Sequence, residues 1–194
     1  MEHAFIYIGL GLLGLILGSY GGATVWRLRA RQLQEDKAAG EKIDTKEYDS
    51  LKKLLKASVS KDRSLCLHCH HQLAWYDLLP LVSWLQLGGK CRYCRHRIGI
   101  MEPLIEIGTA AFFVISYFAW LEPLSSAIAI IQFALWLIVG VGLIILFVYD
   151  SRWFLLPNKV VFPLIGLSFL SVSLEIFQAT DHVSVAVNAA ISVI

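Results

Sequence analysis

The residues best placed to do chemistry are four cysteines arranged as two pairs, Cys66-x-x-Cys69 and Cys91-x-x-Cys94. Two residues between cysteines let both thiolates of a tight turn converge on one ion. The 21 residues between the pairs let two such knuckles meet. The combined spacing is close to the paired Cys-x-x-Cys pattern of zinc sites. Four thiolates make a closed tetrahedral shell that suits Zn2+, a d10 ion with no geometric preference of its own. A zinc held in this way folds its loop and keeps no open position for a substrate. Three other readings of these residues stay open. Two disulfides would need an oxidising compartment. A redox-active pair would leave the second pair unexplained. One of His68, His70, His71 and His96 could replace a cysteine as ligand. The expected metal ligands are Cys66, Cys69, Cys91 and Cys94, with the histidines as solvated neighbours.

Asp150 is the second candidate. It closes a long uncharged run, and a carboxylate at the end of a membrane helix reads by default as functional. The competing role is an interfacial carboxylate, solvated or paired with Arg152. Hydrolysis by carboxylates needs two, one protonated and the other acting as base on a water. The other acids fit that second place poorly. Asp77, within Trp75-Tyr76-Asp77, suits a turn, and Glu106 suits packing or capping at a helix end. Glu175 and Asp181 fall at the opposite face.

The elements that must position these residues are membrane helices. The chain is 57% hydrophobic with a mean hydropathy of +0.62, and its charged residues, 16% of the total, are clustered. That excludes a single soluble domain. Residues 4–26 carry no charge, which suffices at about 1.5 Å per residue to cross a hydrocarbon core of about 30 Å. The absence of a basic start argues against a signal peptide. Gly9, Gly11, Gly14, Gly18, Gly21 and Gly22 include the spacing Gly14-x-x-x-Gly18, which lets another helix approach closely in lipid. Arg27, Arg29 and Arg31 then open a polar run. Within it, residues 48–56 read as a short amphipathic helix, lying on the membrane surface or packed on the knuckle. Residues 103–121, 124–149 and 160–177 are three further spans, with Asn158 placed to cap the last. Residues 183–194 start a fifth apolar helix too short to cross, so the sequence reads as cut there.

The expected fold is an all-α polytopic membrane protein with a cytosolic zinc-knuckle loop built on the four cysteines. Its expected parts are a first transmembrane helix at 4–26, the zinc-binding loop at 27–102, and helices two to five at 103–194. An aspartate-bearing cytosolic loop occupies 150–159. All 17 Lys and Arg lie within 27–97 or at Arg152 and Lys159. The positive-inside rule therefore puts the N-terminus outside and the zinc loop in the cytosol. Arg92, Arg95 and Arg97 could suggest nucleic acid, but basic residues beside a span serve topology and anionic lipid, so no nucleic-acid partner is expected.

Several stretches resemble the prepilin peptidase (type IV leader peptidase) family. They are Gly18-Ser-Tyr, both Cys-x-x-Cys knuckles, Trp75-Tyr-Asp-Leu-Leu-Pro-Leu-Val-Ser-Trp, Cys91-Arg-Tyr-Cys-Arg, Pro103-Leu-Ile-Glu, and Tyr149-Asp150 with Leu156-Pro157. Together they cover residues from about 14 to 160, in order. The resemblance implies a multi-pass aspartic endopeptidase of the bacterial inner (cytoplasmic) membrane. Such an enzyme cleaves the leader of type IV prepilins and pilin-like secretion subunits at the cytosolic face. Many members also N-methylate the new amino terminus using S-adenosylmethionine. By the family pattern Asp150 matches the first catalytic aspartate, and the four cysteines match the zinc-binding loop. Two departures stand out. Leu-Pro-Asn158 replaces the usual Leu-Pro-Asp, and the Gly-x-Gly-Asp motif of the second aspartate does not occur in these 194 residues. The 194-residue chain alone is therefore expected to be inactive as a peptidase. The rival reading is a membrane-anchored zinc-binding scaffold or inactive fragment, in which Asp150 has no catalytic part.

Overall fold

The computed structural model describes residues 2–55, 64–120 and 123–178. Six α-helices are described: α1 (Glu2–Ala38), α2 (Thr45–Leu51), α3 (Val82–Gln86), α4 (Met101–Ala119), α5 (Ala127–Trp153) and α6 (Asn158–Gln178). Short 3-10 turns lie at Lys52–Leu55 and Trp75–Leu78. Among the described residues there is no strand, only two isolated bridges, Leu65 with Gln72 and Lys90 with Arg97. Four helices are long and apolar enough to cross a membrane: His3–Ala38, Met101–Ala119, Ala127–Trp153 and Asn158–Ile176. The expected fifth helix at 183–194 lies outside the described residues, as do Glu122, Asp181 and His182.

α1 packs most extensively on α4, and its glycines are the reason. A Cβ on Gly14 would sit 2.6 Å from the Ala110 Cα, and one on Gly18 would sit 2.7 Å from the Glu106 Cα. Only hydrogen fits at either position. The Gly14-x-x-x-Gly18 face thus brings two backbones together as the spacing predicts. Val25 and Leu28 of α1, Ile105 of α4, and Ile145, Val148 and Tyr149 of α5 form one buried core. A second core, Phe113, Phe133 and Leu137, closes α4 on α5 nearer their far ends.

Two elements differ from the sequence expectation. α1 does not stop where the arginines begin but runs on to Ala38, because residues 27–38 contain no helix breaker and bury Ala30 and Leu33. Against that extension packs the 45–55 segment, with Leu51 buried and Tyr48, Leu54 and Leu55 around it. The amphipathic helix therefore lays its apolar face on α1 and on Leu67 of the first knuckle, and the packed reading holds over the membrane-surface one. Asp44 caps it by accepting from the Lys46 and Glu47 N–H groups.

α5 likewise runs past Tyr149 to Trp153, so Asp150 sits in its last helical turn and not in a loop. Phe154, at φ 53°, ends the helix in the left-handed conformation and donates its N–H to the Asp150 carbonyl at 2.8 Å. Asn158 is not an N-cap: α6 starts at Asn158 itself, and the Pro157 carbonyl accepts from Val160 and Val161.

Candidate metal centre and the Asp150 helix end

The two knuckles are built alike. The Cys66 N–H donates to the His71 carbonyl, and the Cys91 N–H to the His96 carbonyl. His70 N–H returns to the Cys66 carbonyl, and Arg95 N–H to the Cys91 carbonyl. The residue after the second cysteine of each pair turns left-handed, His70 at φ 59° and Arg95 at φ 58°. Each turn aims its two sulfurs inward, and the four Sγ atoms lie within 4.8 Å of one another. A tetrahedral zinc tetrathiolate with bonds of about 2.3 Å spaces its sulfurs by roughly 3.8 Å. The Cys66 and Cys94 Sγ atoms are 3.9 Å apart. The donor set fits Zn2+. All four cysteines are free, which removes the disulfide reading.

The histidines sit beside this cluster and outside it. His68 and His96 stack across the knuckles at 4.1 Å, and His71 lies 3.6 Å from the Tyr93 ring. Burial raises the Cys66 thiol. Burial pushes Cys91 up as well, but the backbone N–H groups of Cys94 and Tyr93 hold it below its ordinary value.

Asp77 braces the second knuckle. Its Oδ1 accepts from Arg92 Nε at 2.7 Å, and its Oδ2 from the Tyr93 hydroxyl at 3.1 Å and the Ala74 N–H at 3.2 Å. Burial alone would raise this carboxyl, but the Arg92 guanidinium and the two other donors hold it below the usual range. Burial, with Tyr76 and Asp77 beside it, pushes the Tyr93 hydroxyl up to about 12.

The other two carboxylates have different partners. Glu106 is buried against Gly18, and its Oε2 accepts the Leu81 N–H at 2.7 Å, so it holds the segment between the knuckles onto α4. Asp150 is exposed, and its carboxylate makes no hydrogen bond or ion pair among the described residues. It is not paired with Arg152, whose guanidinium lies 4.6 Å from the Trp26 ring. No second carboxylate is hydrogen-bonded to it among the described residues.

Sequence reasoning missed the brace beside Asp150. Glu47 of α2 accepts from Arg29 of α1, Nη2 to Oε2 at 2.6 Å and Nε to Oε1 at 3.1 Å. Trp153 Nε1 of α5 also donates to the Glu47 Oε1, at 2.9 Å. Three helices are thus tied at the turn that carries Asp150. The partners are 18 and 106 positions apart, so no local pattern links them.

Between α1, the knuckles and the start of α4 lies a cavity of about 510 Å3. Glu102, Glu106, Trp84 and Arg152 are among its lining residues. Glu102 Oε1 accepts from Trp26 Nε1 at 3.2 Å. Its Oε2, with Trp84 Nε1 and Arg152 Nε, is buried without a hydrogen-bond partner among the described residues. Glu102 and Arg152 thus bring charges of opposite sign to the lining of one cavity, whose volume suits a small ligand.

The family model described as "Bacterial Peptidase A24 N-terminal domain" matches residues 12–120, more than half of the chain. A prepilin leader peptidase/N-methyltransferase of Vibrio cholerae serotype O1 is 28% identical over 172 residues, 89% of this chain and 58% of that protein. The protein of the same name from Pseudomonas aeruginosa is 29% identical over 170 residues, 88% of this chain and 56% of that protein. A type 4 prepilin-like proteins leader peptide-processing enzyme of Escherichia coli O78:H11 is 35% identical over 128 residues, 64% of this chain and 44% of that protein. The chain spans about half the length of the curated relatives it matches. No solved structure matches it significantly.

Proposed function

The chain belongs to the bacterial A24 prepilin peptidase family, and from that premise we propose that it forms the amino-terminal part of a leader peptidase for prepilins and pilin-like secretion subunits. Asp150 is the catalytic carboxylate that it contributes. The observation that carries this is the placement of Asp150: exposed, unpartnered among the described residues, and fixed in a helical turn that Trp153, Glu47 and Arg29 brace. A structural carboxylate would be expected to hold a partner, as Asp77 and Glu106 do.

Peptide hydrolysis by this route needs one carboxylate to take a proton from water while a second, protonated, polarises the carbonyl. Asp150 supplies one of these in this reading, and no second carboxylate is assigned among the described residues. Zn2+ on Cys66, Cys69, Cys91 and Cys94 is structural in this reading: it locks the knuckles and meets no substrate. The membrane arrangement follows the charge pattern, with residues 4–26 crossing first, 27–102 on the cytosolic side bearing the zinc, and Asp150 at the cytosolic end of α5.

Cleavage of a prepilin in membranes tests the assignment. The chain, completed with the remaining portion of the Vibrio cholerae relative, is expected to release the leader. The same protein carrying Asp150→Asn is expected to lose that activity while keeping its zinc. Equal cleavage by both would leave Asp150 without a catalytic part and favour the scaffold reading.

The cavity favours a second activity in the same protein. Its volume suits a small-molecule ligand, and Glu102 and Arg152 among its lining residues suit one that carries both an ammonium and a carboxylate. We place N-methyl transfer there, with S-adenosylmethionine as methyl donor. Titration with S-adenosylmethionine is expected to show saturable binding that Glu102→Gln weakens about tenfold, the loss of one charge-assisted hydrogen bond. Unaltered binding by that variant would remove the donor from this cavity.

A further inference from the structure

We infer that the segment between the two zinc knuckles is a membrane-inserted element, seated in the leaflet nearer the zinc centre with Trp75, Leu79, Val82 and Leu85 in contact with lipid. The inference rests on depth, charge and backbone accounting, and it is independent of the enzymatic reading.

Depth comes from two hydrogen bonds. Trp26, the last residue of the uncharged run of α1, donates to Glu102 in the first turn of α4. That contact marks the level at which charge begins. The Leu81 N–H reaches Glu106, four residues or about 6 Å further along α4. On α1 the matching level is Gly18, against whose position the Glu106 Cα lies. The segment therefore reaches past the charge boundary by about 6 Å measured along α4 and about 12 Å measured along α1, a depth suited to an interfacial element.

Charge agrees. Residues 73–87 hold a single ionisable acid or base side chain that is charged at neutral pH, Asp77. It is turned inward onto Arg92 and Tyr93, with its side chain only 4% exposed. What faces outward is mostly apolar, Gln86 being the exposed polar side chain: Trp75 is 75% exposed and Leu85 68%, with Leu79 and Val82 exposed as well. Ile100 and Leu104 are exposed where α4 begins, and the Leu81–Glu106 bond fastens the segment to this same apolar helix, long enough to cross a membrane. That attachment selects lipid over a soluble partner as the occupant. Trp75 suits the position, since tryptophan is enriched at membrane interfaces.

Several backbone groups of the segment are already satisfied within the protein. Irregular backbone at membrane depth must have its polar groups satisfied within the protein. Here Asp77 N–H donates to the Ala74 carbonyl, Ser83 to Leu79, Leu85 to Leu81 and Leu87 to Ser83, and Glu106 takes the Leu81 N–H.

The test uses the chain reconstituted in phosphatidylethanolamine/phosphatidylglycerol vesicles, once with plain acyl chains and once with chains brominated near the headgroup. Tryptophan emission is compared for the unaltered chain and Trp75→Phe, with zinc content as the check on folding. The expected result is a Trp75 component that brominated lipid quenches and aqueous iodide does not, lost in Trp75→Phe. Should Trp75→Phe fail to fold, Leu85→Trp is expected to add a component with the same behaviour. Quenching of these components by iodide, the signature of a water-facing or cytosolic docking surface, would overturn the proposal. So would quenching by neither reagent, the signature of a face covered by protein.

Discussion

Asp150 differs from Asp77, Glu106 and Glu47 in what its carboxylate is left to do. Asp77 holds three donors, Glu106 one backbone N–H, and Glu47 an arginine and a tryptophan. Those three are structural, and their removal should read out as stability or zinc retention. Asp150→Asn should instead leave thermal stability and zinc unchanged and, in a completed enzyme, reduce leader cleavage by roughly 100- to 10,000-fold, the usual range for loss of an acid–base group. The cysteines make a matching prediction. One zinc per chain is expected by metal analysis, and Cys91→Ser should abolish it, since a closed shell that loses one thiolate loses its tetrahedral set. Asp77 yields a pH prediction. Its folded carboxyl lies below the unfolded value of about 3.9, so its contribution to stability is complete above that value. The contribution is lost only as pH falls through the lower folded value. The difference in melting temperature between the unaltered chain and Asp77→Asn should therefore be flat from about pH 5 to about pH 8; a slope across that window would contradict the Arg92 pairing. The clustering of the four cysteines was legible from spacing alone because each knuckle is a local turn. The roles of Glu47 and Glu102 were not, because their partners are brought in by helix packing.

At the scale of elements, the glycine face of α1 makes the sharpest statement. Gly14→Ala sets a methyl group 2.6 Å from the Ala110 Cα, where the obstacle is backbone and cannot rotate away. The α1–α4 contact should weaken by about 1–3 kcal/mol, the usual cost of overpacking. Gly9→Ala, which meets nothing within 4 Å, should be neutral or stabilise the helix by up to about 1 kcal/mol. Thermal unfolding in detergent distinguishes the two, and equal effects would contradict the packing. The Gly14-x-x-x-Gly18 spacing announced this face in the sequence. Helix ends were harder to read. The arginines after Trp26 mark where charge begins, yet nothing there breaks a helix, so α1 continues. The end of α5 depends on Phe154 adopting a left-handed conformation that favours glycine, which composition does not announce. The 45–55 segment showed its apolar stripe plainly, but whether lipid or protein covers it depends on how far α1 extends.

For the whole molecule, hydropathy and charge clustering specified four crossing helices before any contact was known, and those helices are present. What periodicity could not show is how the zinc knuckles attach. They are joined to the bundle through Leu81–Glu106, through Leu67 on the α1–α2 core, and around the cavity that all three share. The knuckles are therefore part of one body with α1 and α4, so a metal held by the four cysteines would fix one wall of a cavity whose other walls are helices. The family match over residues 12–120 covers this body and ends before Asp150, so the catalytic assignment rests on Asp150 itself. Prepilin leader cleavage in membranes therefore tests the central claim most directly, comparing the completed protein with its Asp150→Asn variant at equal zinc content. The account predicts a released leader in the first and none detectable in the second; cleavage undiminished by Asp150→Asn would contradict it.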